Sequence, residues 1–109
     1  MITVYIYRKQ GEITAFELSG HAESGPYGHD LVCAAVSAVS FGAINAVTEL
    51  CQIDLGIDQG EEGGYLRVTL PSHLERKTRE KAMLLLEGMV VSLETIERDY
   101  GEFIKIHYH

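Results

Sequence analysis

Three side chains in the first third of the chain could do chemistry together. Cys33 stands near the start of a long run without charge, and His21 and His29 precede it in a glycine-rich segment. A thiolate with an imidazole base in hydrogen-bond reach is the minimal set for a cysteine hydrolase: sulfur attacks a carbonyl carbon and the imidazole carries the proton. Counting from Asp30 as an N-cap, Cys33 is the third residue of a helix. At that position the positive end of the helix dipole favours a thiolate, and free backbone N–H groups supply an oxyanion hole. The segment from Ser19 to Asp30 reads SGHAESGPYGHD. Its glycines let main chain approach a peptide closely and let the segment move.

Plainer readings stand beside this one. A cysteine in an apolar helix is usually a small core hydrophobe, and Cys51 is read that way. His21, His29 and Cys33 could ligate zinc, but no CxxC or HxxxH partner accompanies them, so neither a metal nor another cofactor is expected. A thiol redox role lacks a nearby resolving cysteine. On one helical pattern Cys33 and Cys51 would lie about 27 Å apart at ~1.5 Å rise per residue, far beyond the roughly 7 Å that a disulfide spans. Two free thiols suit a reducing cytosol. His73, beside Pro71 and Ser72, reads as a loop or cap residue. His107 and His109 flank Tyr108 and would face solvent on the side opposite its ring.

The elements that must position these groups follow from periodicity. Met1 to Tyr7 alternates Ile2, Val4 and Ile6 with Thr3, Tyr5 and Tyr7, which predicts a strand. A turn at Gly11 leads into a second strand from Ile13 to Leu18, with Ile13, Ala15 and Glu17 on one face. Leu31 to Cys51 predicts a helix with no charged residue from Leu31 through Thr48. Its length suits a membrane span. Ser37, Ser40, Gly42, Asn45 and Thr48 recur within it, much of the rest is alanine, and no basic flank follows, so a span is rejected. A helix this apolar all round is buried on more than one side. Ile53 to Gln59 and Tyr65 to Leu70 predict two strands. Leu74 to Tyr100 carries Ala82, Leu85, Leu86, Met89, Leu93, Ile96 and Tyr100 at helical period, closed by Gly101 as a C′ glycine. Phe103 to Tyr108 predicts a last strand.

The order is β-β-α-β-β-α-β, and the fold class is α+β: one domain over residues 1–109, with a mostly antiparallel five-stranded sheet and two helices. Its 109 residues leave no room for a second domain. With 46% apolar and 23% charged residues the composition is globular. The net charge of -7 argues against a nucleic-acid surface, which needs an array of Lys and Arg. The basic cluster Arg76, Lys77, Arg79, Lys81 is interleaved with Glu75 and Glu80 and reads as a solvated helix face. The N-terminus lacks the order of a signal peptide.

The string Gly20-His21-Ala22, then Gly25, Tyr27 and Gly28, then Asp30-Leu31-Val32-Cys33-Ala34-Ala35-Val36-Ser37-Ala38 resembles the signature of the ribosomal-processing cysteine proteases, the Prp family. The likeness extends over nearly the whole chain in length and element order, and its specificity lies in residues 20–38. It implies a cytoplasmic endopeptidase that removes a short N-terminal extension from the precursor of a bacterial large-subunit ribosomal protein. It implies Cys33 as nucleophile and His21 as general base and then acid. Asp30 matches the family's acidic position before the helix, where it would cap the helix and orient the imidazole or hold the loop. Gly20, Gly25, Tyr27 and Gly28 would shape the peptide site. Ser37, one turn beyond Cys33 on the same helix face, would either line it or bond back to the carbonyl four residues earlier. Leu31 stands where Ile or Val is common, and His29 falls at a variable position. The resemblance also implies a homodimer. The surfaces agree, because a 109-residue chain is short of material to bury both helices. The rival reading is a non-catalytic ribosome-assembly module that grips a peptide without cutting it, for which Cys33 would be dispensable.

Overall fold

The computed structural model describes residues 1–20, 26–61 and 64–109, of which 26–30 by backbone alone. Strand β1 (Ile2–Lys9) turns at Gln10 and Gly11 into β2 (Glu12–Gly20). Both turn residues have positive φ, 55° and 81°, the two-residue type I′ connection whose twist matches a hairpin. Helix α1 (Pro26–Cys51) follows, then β3 (Gly56–Asp58), β4 (Tyr65–Thr69), helix α2 (Arg76–Tyr100) and β5 (Ile104–Tyr108).

The five strands form one sheet in the order β3-β4-β2-β1-β5. It is mixed: β1 pairs antiparallel with β2, β2 with β4 and β4 with β3, whereas β5 runs parallel to β1. The parallel pair follows from α2, which crosses over the sheet between β4 and β5 and returns the chain in the same direction. Both helices pack on the face that carries Ile2, Val4, Ile6, Phe16, Leu18, Leu66, Val68 and Ile104, and the core forms between. On the other face Tyr5 stacks against His107 and His109, at centroid distances of 5.2 and 5.4 Å. Both histidines are exposed, as their alternation with Tyr108 predicts.

Several boundaries differ from the sequence expectation. Helix α1 starts four residues before Asp30, so Asp30 is its fifth residue and not its N-cap. Proline is well placed to open a helix, because the first turn needs no N–H from it. The alternation of β2 breaks at a bulge, where Tyr7 pairs with Ala15 but Arg8 with Ile13. The extra residue, Thr14, shifts the phase, so Ile13 shares the core with Phe16 and Leu18. Only Gly56–Asp58 of the stretch from Ile53 to Gln59 is strand; Ile53 and Leu55 are buried ahead of it and anchor the link from α1. Gly101 ends α2 in a right-handed conformation, φ -61°, not as a left-handed C′ glycine.

Helix α1 also keeps an open side. Val32, Val36, Ile44 and Val47 enter the core, but Leu31, Phe41 and Leu50 remain 55%, 40% and 73% exposed. Within one chain, the expected burial on several sides is therefore not met.

Candidate active site

Cys33 is the eighth residue of α1, half-buried and free of any disulfide. Residues 33, 36, 37, 40 and 41 recur at spacings of three and four, so they share one helix face. All five line a cavity of about 400 Å³. Facing them are Ile2, Leu18, Ser19 and Gly20 from the ends of β1 and β2, with Gly64, Tyr65 and Leu66 at the start of β4. The cavity thus lies between two turns of α1 and the end of the sheet. Its size is in the range of ordinary ligand clefts. Among the described residues no charged side chain lines it. In such a weakly polar setting charge interactions are stronger than in water.

Gly20 shapes this end of the sheet. Its φ is +90°, and a Cβ there would meet the Met1 carbonyl oxygen at 2.3 Å, so only glycine fits. Its N–H donates to the Gly64 carbonyl at 2.9 Å, which ties the last residue of β2 to the approach of β4. Tyr65 is held beside it: its hydroxyl donates to Glu17 Oε1 at 2.8 Å, and Arg67 donates to the same oxygen at 3.2 Å. The bond to the Glu17 carboxylate raises the Tyr65 phenol above its usual range and keeps it a donor.

Of the site residues expected from sequence, Cys33, Ser37 and Gly20 come together on one cavity. His21 and Gly25 lie outside the described residues. Tyr27, Gly28 and Asp30 belong to the first two turns of α1, which are described by backbone alone. The longer helix corrects the electrostatic expectation for Cys33. The free N–H groups at the start of α1 are those of residues 27–29, roughly 6–9 Å along the axis from Cys33 at ~1.5 Å per residue. The dipole effect falls off within the first turn, so the helix start puts neither its positive end nor an oxyanion hole beside Cys33. The Gly20 N–H is spent on Gly64. Among the described residues no three metal-ligating side chains converge.

Sequence reasoning passed over Ser40, which is 1% exposed, lines the cavity, and has a hydroxyl with no hydrogen-bond partner. Its signal was present: Ser37 and Ser40 lie four and seven positions beyond Cys33, on the same face.

The family model described as cysteine protease Prp matches residues 1–105. The ribosomal processing cysteine protease Prp of Bacillus subtilis is 49% identical over 107 residues, covering 97% of this chain and 96% of the relative. Two crystal structures of an essential ribosomal processing protease Prp from S. aureus cover 100% of both chains. One, in complex with a substrate peptide, is 38% identical with a TM-score of 0.87. The other, in complex with a covalently linked product peptide, is 39% identical with a TM-score of 0.88.

Proposed function

The chain belongs to the cysteine protease Prp family, and from that membership we propose that it is the endopeptidase that removes a short N-terminal extension from a large-subunit ribosomal protein precursor. The observation that carries this reading is the cavity. A free cysteine lines it together with Gly20, the residue that immediately precedes His21. Relatives that hold a substrate peptide, and a covalently linked product peptide, on the same fold support it.

In this mechanism the precursor lies across the cavity with its scissile carbonyl at Cys33. His21 accepts the thiol proton as Sγ bonds to the carbonyl carbon. The tetrahedral intermediate collapses, the C–N bond breaks, and His21 gives the proton to the leaving amine. Water then attacks the thioester; His21 takes its proton and returns one to sulfur. Asp30, three residues before Cys33, orients the imidazole or holds the adjoining segment. Gly20, Gly25, Tyr27 and Gly28 shape the peptide path, and the exposed Ser37 offers a hydroxyl one turn beyond the nucleophile. No cofactor enters these steps. The test is to mix the protein with the extended precursor under reducing conditions and read the products by mass spectrometry. A shortened precursor is expected. An unchanged one, or a Cys33→Ala variant that keeps full function, would turn the reading into the non-catalytic peptide-gripping module.

The active form in this proposal is a cytoplasmic homodimer joined through the open side of α1. That side carries Leu31, Phe41 and Leu50 among Ala34, Ala38, Gly42 and Asn45, small residues that allow close approach. A second copy would cover this face, whose charge-free run extends from Leu31 through Thr48, and would brace the helix that carries Cys33. The segment Leu31–Cys51 has the length and hydropathy of a membrane span, but the buried stripe of α1 is committed to the core, and the proposal includes no membrane. It includes no direct nucleic-acid contact either, in keeping with a net charge of -7. Light scattering at micromolar concentration should give twice the chain mass; the mass of a single chain would refute the dimer.

A further inference from the structure

The basic cluster of α2 does not form one solvated face. The Arg76 side chain is 91% exposed. Arg79 is 37% exposed and lines a second cavity, of about 500 Å³. This cavity lies at the β1–β2 turn, between the start of β2, the end of β4 and the link into α2. Among the described residues it shares no lining with the cavity of Cys33. Its charge is the reverse of the molecule's. The chain carries a net -7, whereas Lys9, Arg67 and Arg79 line this cavity against a single described acid, Glu12.

Two of these cations keep free donors. Arg67 is spent on Glu17, which lies outside the cavity, at 3.2 Å. Lys9 makes no ion pair among the described residues. Arg79 donates to the Leu74 carbonyl at 3.2 Å, but its guanidinium stands 4.0 Å from Glu12 Oε1, too far for a hydrogen bond. A guanidinium carries several N–H donors, so most of those on Arg79 stay open. Lys9 and Glu12 are cross-strand partners, so Glu12 brings both cations to the same end of the cavity. Beside them Leu70, Leu74 and Met83 form an apolar wall, each only partly buried against the core.

We propose that this cavity binds a small organic anion, with a carboxylate or phosphate head on Lys9 and Arg79 and an apolar body along Leu70, Leu74 and Met83. The size suits such a ligand, since small-molecule sites are clefts of this order. The planar fork of Arg79 matches two oxygens of either head, and Lys9 adds a point charge. A cationic ligand would meet like charge, and a neutral one would leave the open donors unused. The apolar wall holds the body by removing its surface from water. The site is independent of the peptide chemistry at Cys33 and stands or falls without it.

The probes are phenylacetate and phenyl phosphate, with phenylacetamide as the uncharged control and acetate as the bare head. Each is titrated into isotope-labelled protein at neutral pH, and binding is followed by backbone amide resonances. At least one of the two aromatic anions should shift the amides of Lys9, Glu12, Leu70 and Arg79 to saturation, and the tighter of the two identifies the head. Phenylacetamide and acetate should each bind at least about tenfold more weakly. Arg79→Gln should weaken the anion about tenfold and Lys9→Gln about threefold, whereas Glu12→Gln should tighten it about threefold. Added salt should weaken it. Lys9 is exposed and unpaired among the described residues, so Lys9→Gln and Glu12→Gln decide the matter even if Arg79→Gln fails to fold. Their opposite signs are what a general loss of stability cannot produce. The proposal is overturned if neither anion gives a saturable shift, or if the shifts centre on the cavity of Cys33. It is also overturned if phenylacetamide binds as well as the anions, or if Lys9→Gln and Glu12→Gln leave their affinity unchanged.

Discussion

The two helices of this domain have almost the same length, 26 and 25 residues, and pack on the same face of one sheet, yet they are built for different work. Helix α2 buries Ala82, Leu86, Met89, Val90 and Leu93, and uses its acidic residues as ties. Arg8 of β1 donates two bonds to the Glu87 carboxylate. The Ile106 N–H donates to Glu97 at 2.8 Å, and the Tyr108 hydroxyl donates to Glu94. The Glu97 bond satisfies a main-chain donor of β5, an edge strand that would otherwise present it to another chain. Among the described residues, the side chains of helix α1 make no such tie. It is free of charge from Leu31 through Thr48, and its polar groups in the cavity are a thiol and two hydroxyls. One end of the sheet is locked by α2; at the other, where β2 meets β4 at Gly20 and Gly64, the described residues leave a cavity beside α1. The difference teaches where a small domain can keep a cleft: against a helix whose side chains are too short to fill it.

That contrast is open to attack in four places. The largest effect belongs to α1. Cys33→Ala, and His21→Ala with it, should lower precursor cleavage by at least about a thousand-fold, as loss of a nucleophile or its base does, while the melting temperature moves by no more than a few degrees. Should Cys33→Ala melt as a core variant does, α1 would be scaffold like α2, and the contrast would collapse. In α2 the opposite is expected. Leu86 is fully buried, and Leu86→Ala should cost about 2–5 kcal/mol in chemical denaturation with cleavage per folded molecule nearly intact. A loss of activity out of proportion to unfolding would mean that α2 also shapes the site.

The ties of α2 should matter less than its core. The Arg8 and Glu87 side chains are 28% and 39% exposed, so Glu87→Gln should cost roughly 0.2–1 kcal/mol, and added salt should shrink the difference. A cost equal to that of Leu86→Ala would show the pair to be part of the core. The smallest effect is at alkaline pH. Partial desolvation of the hydroxyl and its bond to the Glu94 carboxylate push the Tyr108 phenol from its usual 10.0 up to about 12. The folded protein therefore holds a proton that the unfolded chain releases earlier. The stability from this tie is fully present below pH 10 and is lost as pH rises toward 12. Tyr108→Phe should flatten that part of a stability-against-pH curve; an unaltered slope would mean that the tie contributes nothing.

Much of this was legible in the chain itself. Period-two alternation over Ile2, Val4 and Ile6 and period-3.6 spacing over Ala82, Leu86, Met89 and Leu93 report which side chains meet the core, because burial follows local geometry in both cases. The string from Gly20 to Ala38 was enough to suggest a protease family, since its residue types and spacing are unusual together. The start of α1 was not legible. Asp30 and Gly28 are a good cap and a good breaker in isolation, and what lets the helix begin at Pro26 is not written in either. The bulge at Thr14 was hidden for the same reason: it exists only as a mismatch between two strands.

The sequence by itself thus determined the element order, the two amphipathic faces and the candidate nucleophile, all properties that depend on neighbours a few residues away. Only the tertiary structure decided that β5 lies parallel to β1, that Gly20 touches the Met1 carbonyl, and that Cys33, Ser37 and Ser40 share a cavity with the ends of β2 and β4. It also decided that the Ser40 hydroxyl is left unpaired. Each of these is a meeting of segments far apart in the chain. Whether a buried hydroxyl finds a partner depends on which distant atoms the fold brings to it, and no local pattern of residues carries that information.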